Sequence, residues 1–320
     1  MRFVPSSIYE MRNLMKRVKI GISVLFLILW ITGCAKTNNT SNSISDNNIE
    51  RINNTIPIIS ITPQVHKHEY FISEDEMQNH LEYICNEPRH FGSVGEKKAS
   101  TKIIDILKEY QYDINSQIFS VYKQNFETTV SILGKEYFNL NPLESESLGE
   151  ATNLIATKYS KNVTDKTLYI TAHYDTIENT NGIIDNSSGV ISVLQIAKHF
   201  MNVDLNFNVK FIFFSAEEYY RQGSRYYLNN LSSEERQNAI GCINIDMIGE
   251  KNAGEIVVKT VGKRTNLISF LFEEFTSYNI EDGGSSDDLS FYNAQIPVIT
   301  LCNINPNLKR DINWKLICYK

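Results

Sequence analysis

Five acids and one imidazole stand at the ends of apolar runs or in a loop between them. His173-Tyr174-Asp175 follows the run 168–172, Ser215-Ala216-Glu217-Glu218 follows 209–214, and Asp246 follows 242–245. Asp185 lies in the glycine-flanked loop Gly182-Ile183-Ile184-Asp185-Asn186-Ser187-Ser188-Gly189. Gathered without countercharge, these carboxylates would repel one another, and some would take up protons. Divalent cations remove that conflict, and imidazole nitrogen with carboxylate oxygen suits zinc, with manganese or cobalt also acceptable. Two such ions about 3.5–4 Å apart share a bridging carboxylate and activate a water; Asp185, in its loop, has the freedom to bridge. Side chains alternate in an extended segment, so His173 and Asp175 face the same way and Asp175 can hold the second imidazole nitrogen. Glu217 and Glu218, as neighbours, point apart, so one can ligate while the other serves as general base.

Positioning these groups requires strands that end at one edge. Short apolar runs at 153–157, 168–172, 209–214, 242–245, 256–258 and 298–301 read as buried strands, interleaved with helical stretches at 190–200, 224–231 and 265–278. Upstream, Ser73 can cap a helix with Met77, Leu81 and Ile84 on one face and Pro88 beyond its end. A second helix places Ala99, Ile103, Ile106, Leu107 and Tyr110 at helical spacing, and alternation over 114–137 suggests two strands of a hairpin or edge pair. Strand and helix taking turns predict an α/β fold: a three-layer sandwich with a mainly parallel, mixed central sheet flanked by helices. In such sheets the carboxyl ends of the strands form the ligand crevice. Three strands ending in His, Asp and Glu therefore predict a site.

The set HYD (173–175), IIDNSSG (183–189), FFSAEE (213–218) with GS at 223–224, and NIDMIG (244–249) resembles the di-zinc aminopeptidases, in order and spacing, over roughly residues 70–300. That group also includes glutamate carboxypeptidase and the glutaminyl cyclases. The resemblance implies that His173 and Asp246 bind a first zinc, Asp185 bridges, Glu218 binds a second, Glu217 is the general base and Asp175 orients His173. It implies hydrolysis of a peptide bond by metal-activated water, releasing an N-terminal residue, and a cis peptide at Asp185-Asn186. The family's second metal is completed by a late histidine that follows a tyrosine. The six histidines here are at 66, 68, 80, 90, 173 and 199, and Ser286-Asp287-Asp288 places Asp288 at the histidine of the family's Ser-Asp-His. Beyond Leu301 the resemblance stops. A C-terminally incomplete or divergent domain, a weak second zinc site and impaired hydrolysis are therefore expected. Two alternatives are a non-catalytic surface lipoprotein that keeps the fold, and a glutaminyl cyclase-like enzyme.

The 320 residues carry a formal net charge of −6, with 42% hydrophobic and 21% charged residues. That composition is globular, and the acidic balance speaks against non-specific nucleic-acid binding. Arg12, Lys16, Arg17 and Lys19 precede an apolar run over 20–31 that is short for a membrane span and fits a secretory leader. Ile31-Thr32-Gly33-Cys34 resembles a bacterial lipobox, so 1–33 reads as a lipoprotein signal peptide and Cys34 as the lipidated residue. Residues 34–69 read as an Asn/Ser/Thr-rich tether and 70–320 as the metallopeptidase-like domain. The chain is thus expected at the cell membrane, lipid-anchored on the extracytoplasmic face, with peptides as substrates. His66 and His68 read as linker, His80 and His90 as surface or helix-end residues, and Cys242 as a buried thiol.

Overall fold

The computed structural model describes residues 73–123, 129–132, 135–138, 146–249, 256–275 and 280–303. The leader, Cys34, the tether with His66 and His68, and the segment after Asn303 lie outside them. Seven helices and ten strands follow in chain order among the described residues.

The helices begin where the sequence supplies caps. Ser73 Oγ accepts the Glu76 amide at the start of α1 (Glu74–Ile84), and Ser93 Oγ accepts the Glu96 amide at the start of α2 (Val94–Glu109). Each satisfies one of the free N–H groups of a first turn, and acidic Glu74, Asp75 and Glu76 complement the dipole of α1. The strands are β1 (Asp113–Tyr122), β2 (Thr129–Ile132), β3 (Lys135–Phe138), β4 (Ser147–Lys158), β5 (Thr167–His173), β6 (Asn208–Phe214), β7 (Ala239–Ile245), β8 (Val257–Val261), β9 (Ile280–Gly283) and β10 (Val298–Cys302). Eight of them form one sheet in the order β1-β4-β6-β5-β7-β10-β8-β9. The centre, β6-β5-β7-β10, is parallel; β1, β4 and β8 join antiparallel. The sheet is mixed, as expected.

Period-two alternation assigns the layers. Leu154, Ala156, Leu168, Ile170, Phe211, Phe213, Ile243 and Ile299 pack in one core with α1, α2, α3 (Ser188–Phe200) and α6 (Leu267–Phe275). Their neighbours Ile155, Tyr169, Ile212, Phe214, Cys242 and Val298 pack in another with α4 (Gln222–Asn229) and α7 (Asp288–Asn293). Three layers result. The short α5 (Ser233–Asn238) begins with a capping box between Ser232 and Glu235 and buries nothing. α3 is buried on nearly every side, which explains why its basic residues, Lys198 and His199, are confined to the last turn.

Two readings need correcting. The alternating stretch 114–137 holds three strands, not two: β1 is an edge strand that pairs with β4, while β2 and β3, two residues apart, form a separate antiparallel pair. The twelve-residue β4 offers β1 a full-length partner, which β2 at four residues cannot. His80 is not a surface residue; it sits 7% exposed in the middle of α1, on the face that also buries Met77, Leu81 and Ile84. Burial holds its imidazole below the usual range. Cys242 is a buried free thiol, and Cys85 and Cys302 are free as well. No helix among the described residues is long and apolar enough to cross a membrane.

Candidate metal centre

The three parallel strands β6, β5 and β7 end side by side, and the chain after β5 goes first to β6 on one flank and then to β7 on the other. That reversal opens a crevice at the carboxyl ends. His173 is the last residue of β5, Glu217 and Glu218 follow β6, and Asp246 follows β7. Asp185 comes from the irregular turn Ile183–Ser187 that leads into α3.

These groups converge. His173 Nε2 lies 3.1 Å from Asp185 Oδ1 and 3.5 Å from Asp246 Oδ1, while His173 Nδ1 faces Asp175 Oδ1 at 3.4 Å. One ligand atom each from His173, Asp185 and Glu218 falls within 4.8 Å of the others. Asp175 is 1% exposed, and its two oxygens also accept the backbone amides of Glu217 (3.1 Å) and Glu218 (3.2 Å). One carboxylate thus fixes both the imidazole and the segment that carries the two glutamates. The sequence showed the first of these tasks and not the second.

Asp185-Asn186 is a cis peptide. The Asn186 side chain donates to the Ile245 carbonyl (2.9 Å) and accepts from the amides of Gly189 (3.0 Å) and Met247 (3.2 Å). Ser188 Oγ accepts the Ile248 amide at 3.1 Å. The turn bearing Asp185 is therefore stitched to the end of β7, which bears Asp246. Gly189 is required here, because a methyl group would overlap the Asn186 amide and the Ile245 carbonyl.

The electrostatics are those of clustered acids. Burial, with Asp287, Glu218 and Asp246 close by, pushes Glu217 well above the carboxylate range against the opposing pull of His173. Burial and then Asp185 raise Glu218 to about 8. Burial opposes charge on His173, but Asp175, Asp185 and Asp246 outweigh it and hold the imidazole well above its ordinary value. For Asp246 burial is overcome by His173, and the group is held low. A divalent cation would relieve this crowding. The donors fit one: an imidazole that turns Nδ1 towards Asp175 leaves Nε2 to ligate, and the buried Asp246 Oδ1 has no hydrogen-bond partner.

Asp288, at the position of the family's histidine, turns away from the cluster. Its oxygens accept the amides of Gly284 (2.8 Å) and Ser286 (3.1 Å), so it closes the turn before α7. Its neighbour Asp287 is fully buried, and burial raises it to about 7.

The comparisons with known proteins agree with this geometry. The model of peptidase family M28 matches residues 153–314. The chain belongs to peptidase family M28. Among curated M28 relatives, aminopeptidase YwaD of Bacillus subtilis (strain 168) is 34% identical over 153 residues, covering 45% of this chain and 34% of the relative. The chain spans about a quarter to a third of the length of curated relatives such as these. The structure of a zinc aminopeptidase from Bacillus subtilis superposes with a TM-score of 0.63 at 18% identity, over 77% of this chain and 89% of that one. Glutaminyl cyclase of Porphyromonas gingivalis gives 0.55 at 16% identity, over 77% and 88%. At such identities the likeness is one of fold, the three-layer α/β sandwich.

Below this M28 centre lies a polar layer that sequence reasoning missed. Glu96, 4% exposed at the start of α2, bonds Ser215 Oγ and the Gly92 amide, and Tyr174 Oη donates to the Thr152 carbonyl at 2.7 Å while lying 3.2 Å from Glu96. Glu96 thus touches Tyr174, which follows His173, and Ser215, two residues before Glu217. Burial raises its pKa to about 7. An acid raised in the folded state stabilises the fold at low pH, and that stability is lost as pH climbs through the folded value. Between about pH 4.5 and 7 the metal-free protein should lose stability through Glu96, with a slope of up to about 1.4 kcal/mol per unit. Glu96→Gln should remove that part of the slope in urea melts across this range; an unchanged slope would show that Glu96 is already ionised in the fold.

Proposed function

We propose that this chain is a zinc-dependent exopeptidase, an aminopeptidase that hydrolyses the N-terminal residues of peptides. The observation that carries the reading is the convergence of His173, Asp185 and Glu218, with Asp246 against His173, at the reversal point of the sheet. His173, Asp185 and Asp246 would hold one cation, and Asp185 with Glu218 are what the described residues offer a second. A cation bound there supplies Lewis-acid polarisation of the scissile carbonyl and makes water a better nucleophile at neutral pH.

The protein's own groups do the rest. Asp175 keeps the proton on His173 Nδ1 and leaves Nε2 facing the crevice. Through the Glu217 and Glu218 amides it also holds the two glutamates in separate roles. Glu218 turns to the cluster; Glu217, outside it, takes a proton from the attacking water at its carboxylate and returns it to the leaving amide nitrogen. The names of the sequence relatives, aminopeptidases, support this direction of attack. The leader, lipidation at Cys34 and an extracytoplasmic, membrane-tethered location rest on the sequence pattern and belong to the same proposal.

The test is hydrolysis of aminoacyl anilides by the purified chain with zinc added, alongside their N-acetylated forms and a glutaminyl peptide. Release from free amines only, lost to chelator, is the expected result. Pyroglutamate formation without amino-acid release would favour the cyclase. Absence of bound metal would favour a binding protein with this fold.

A further inference from the structure

Arg89 is an arginine with 0% exposure, and among the described residues no carboxylate lies within 4.0 Å of its guanidinium. Its partners are carbonyls. Nε donates to Tyr174 O (2.8 Å), Nη1 to Ile84 O (3.1 Å) and Asn181 O (2.6 Å), and Nη2 to Gly182 O (3.2 Å). Its backbone is paired too: the Arg89 amide donates to Thr176 Oγ1 (2.8 Å), and the Thr176 amide donates to Arg89 O (3.3 Å).

These contacts have a pattern. Tyr174 sits between His173 and Asp175, and Gly182 opens the turn that carries Asp185. The Gly182 carbonyl also accepts the Ser187 amide at 3.0 Å, so it is the hinge between the guanidinium and that turn. Gly182 has φ +53°, and a side chain there would collide with Thr176, the Asp185 carbonyl and Arg89 itself. The loop 176–182 has no strand or helix to hold it, and Arg89 replaces the missing ladder. A rigid planar fork with five N–H groups can span four carbonyls at fixed angles; an ammonium cannot. Asp175, Asp185 and Glu218 all act on its charge, so the fork also holds a buried cation within the field of the acids of the crevice.

We propose that Arg89 is a positioning residue that fixes Asp185 relative to His173 and so sets the affinity of the crevice for a divalent cation. The proposal rests on the metallopeptidase reading. Partners that orient ligands typically matter 10–100-fold for metal affinity. Arg89→Lys, which keeps the charge and loses the fork, should therefore weaken zinc binding about 10–100-fold, read by chelator competition and calorimetry on the purified protein. At saturating zinc its kcat should return to within a few-fold of wild type. Thr176→Val, a milder change that removes one Arg89 contact, should shift zinc affinity the same way by a smaller factor. It covers the case in which Arg89→Lys does not fold. Wild-type zinc affinity in a folded Arg89→Lys protein, even one with a lower melting temperature, would overturn the proposal and leave the metallopeptidase reading intact. Failure of the wild-type chain itself to bind zinc would overturn both.

Discussion

Glu217→Gln should leave the protein folded and metal-loaded while hydrolysis falls about 10²–10⁴-fold, the usual worth of a positioned general base. The substitution is nearly isosteric and keeps the backbone amide that Asp175 accepts, so the placement of Glu218 should survive. What disappears is a carboxylate able to hold a proton between attack and departure of the amine. kcat/KM together with metal content decides the matter. If Glu217→Gln loses zinc in step with activity, Glu217 is a ligand and the two glutamates have exchanged roles.

Asp185→Ala should have the wider effect, removing bound zinc and activity together. Among the described residues Asp185 Oδ1 is the carboxylate oxygen nearest His173 Nε2, and it shares a ligand-sized cluster with His173 and Glu218. Loss of a direct ligand should exceed the 10–100-fold cost of losing a group that merely orients one. A cation that binds only the folded state stabilises it by about 2.7 kcal/mol at one hundred times its dissociation constant. The rise in melting temperature on adding zinc should therefore vanish in Asp185→Ala, independently of any assay of hydrolysis. A zinc-induced shift equal to that of the wild type would mean that the metal sits elsewhere. The side chain is 39% exposed, so its removal should leave little cavity and the metal-free melt should hardly move.

The sequence announced the strands and the groups at their ends because both obey local rules. Alternation placed Ile155 and Tyr169 opposite Leu154 and Leu168, and a strand that stops at His173 must present that side chain at an edge. Arg89, Asn186 and Glu96 follow no such rule. Their partners are carbonyls, amides and a serine brought close by the fold, as in the contact of Arg89 with Gly182 ninety-three residues away, and no periodicity encodes such a pairing. Only Pro88-Arg89-His90-Phe91-Gly92-Ser93, a polar and glycine-bearing stretch between two helices, hinted that something was held there. His80 misled for the opposite reason: a polar type on an apolar face reads as an exception until the packing is seen.

Because β5 is flanked directly by β6 and β7, the main-chain ladder acts as a ruler for the chemistry. Adjacent strands repeat at about 4.8 Å, so the lateral offsets of His173, the glutamates and Asp246 are quantised by backbone hydrogen bonding. Loops lining the mouth of the crevice can then lengthen or change composition, and with them the choice of substrate, without altering the calibre of the cage beneath.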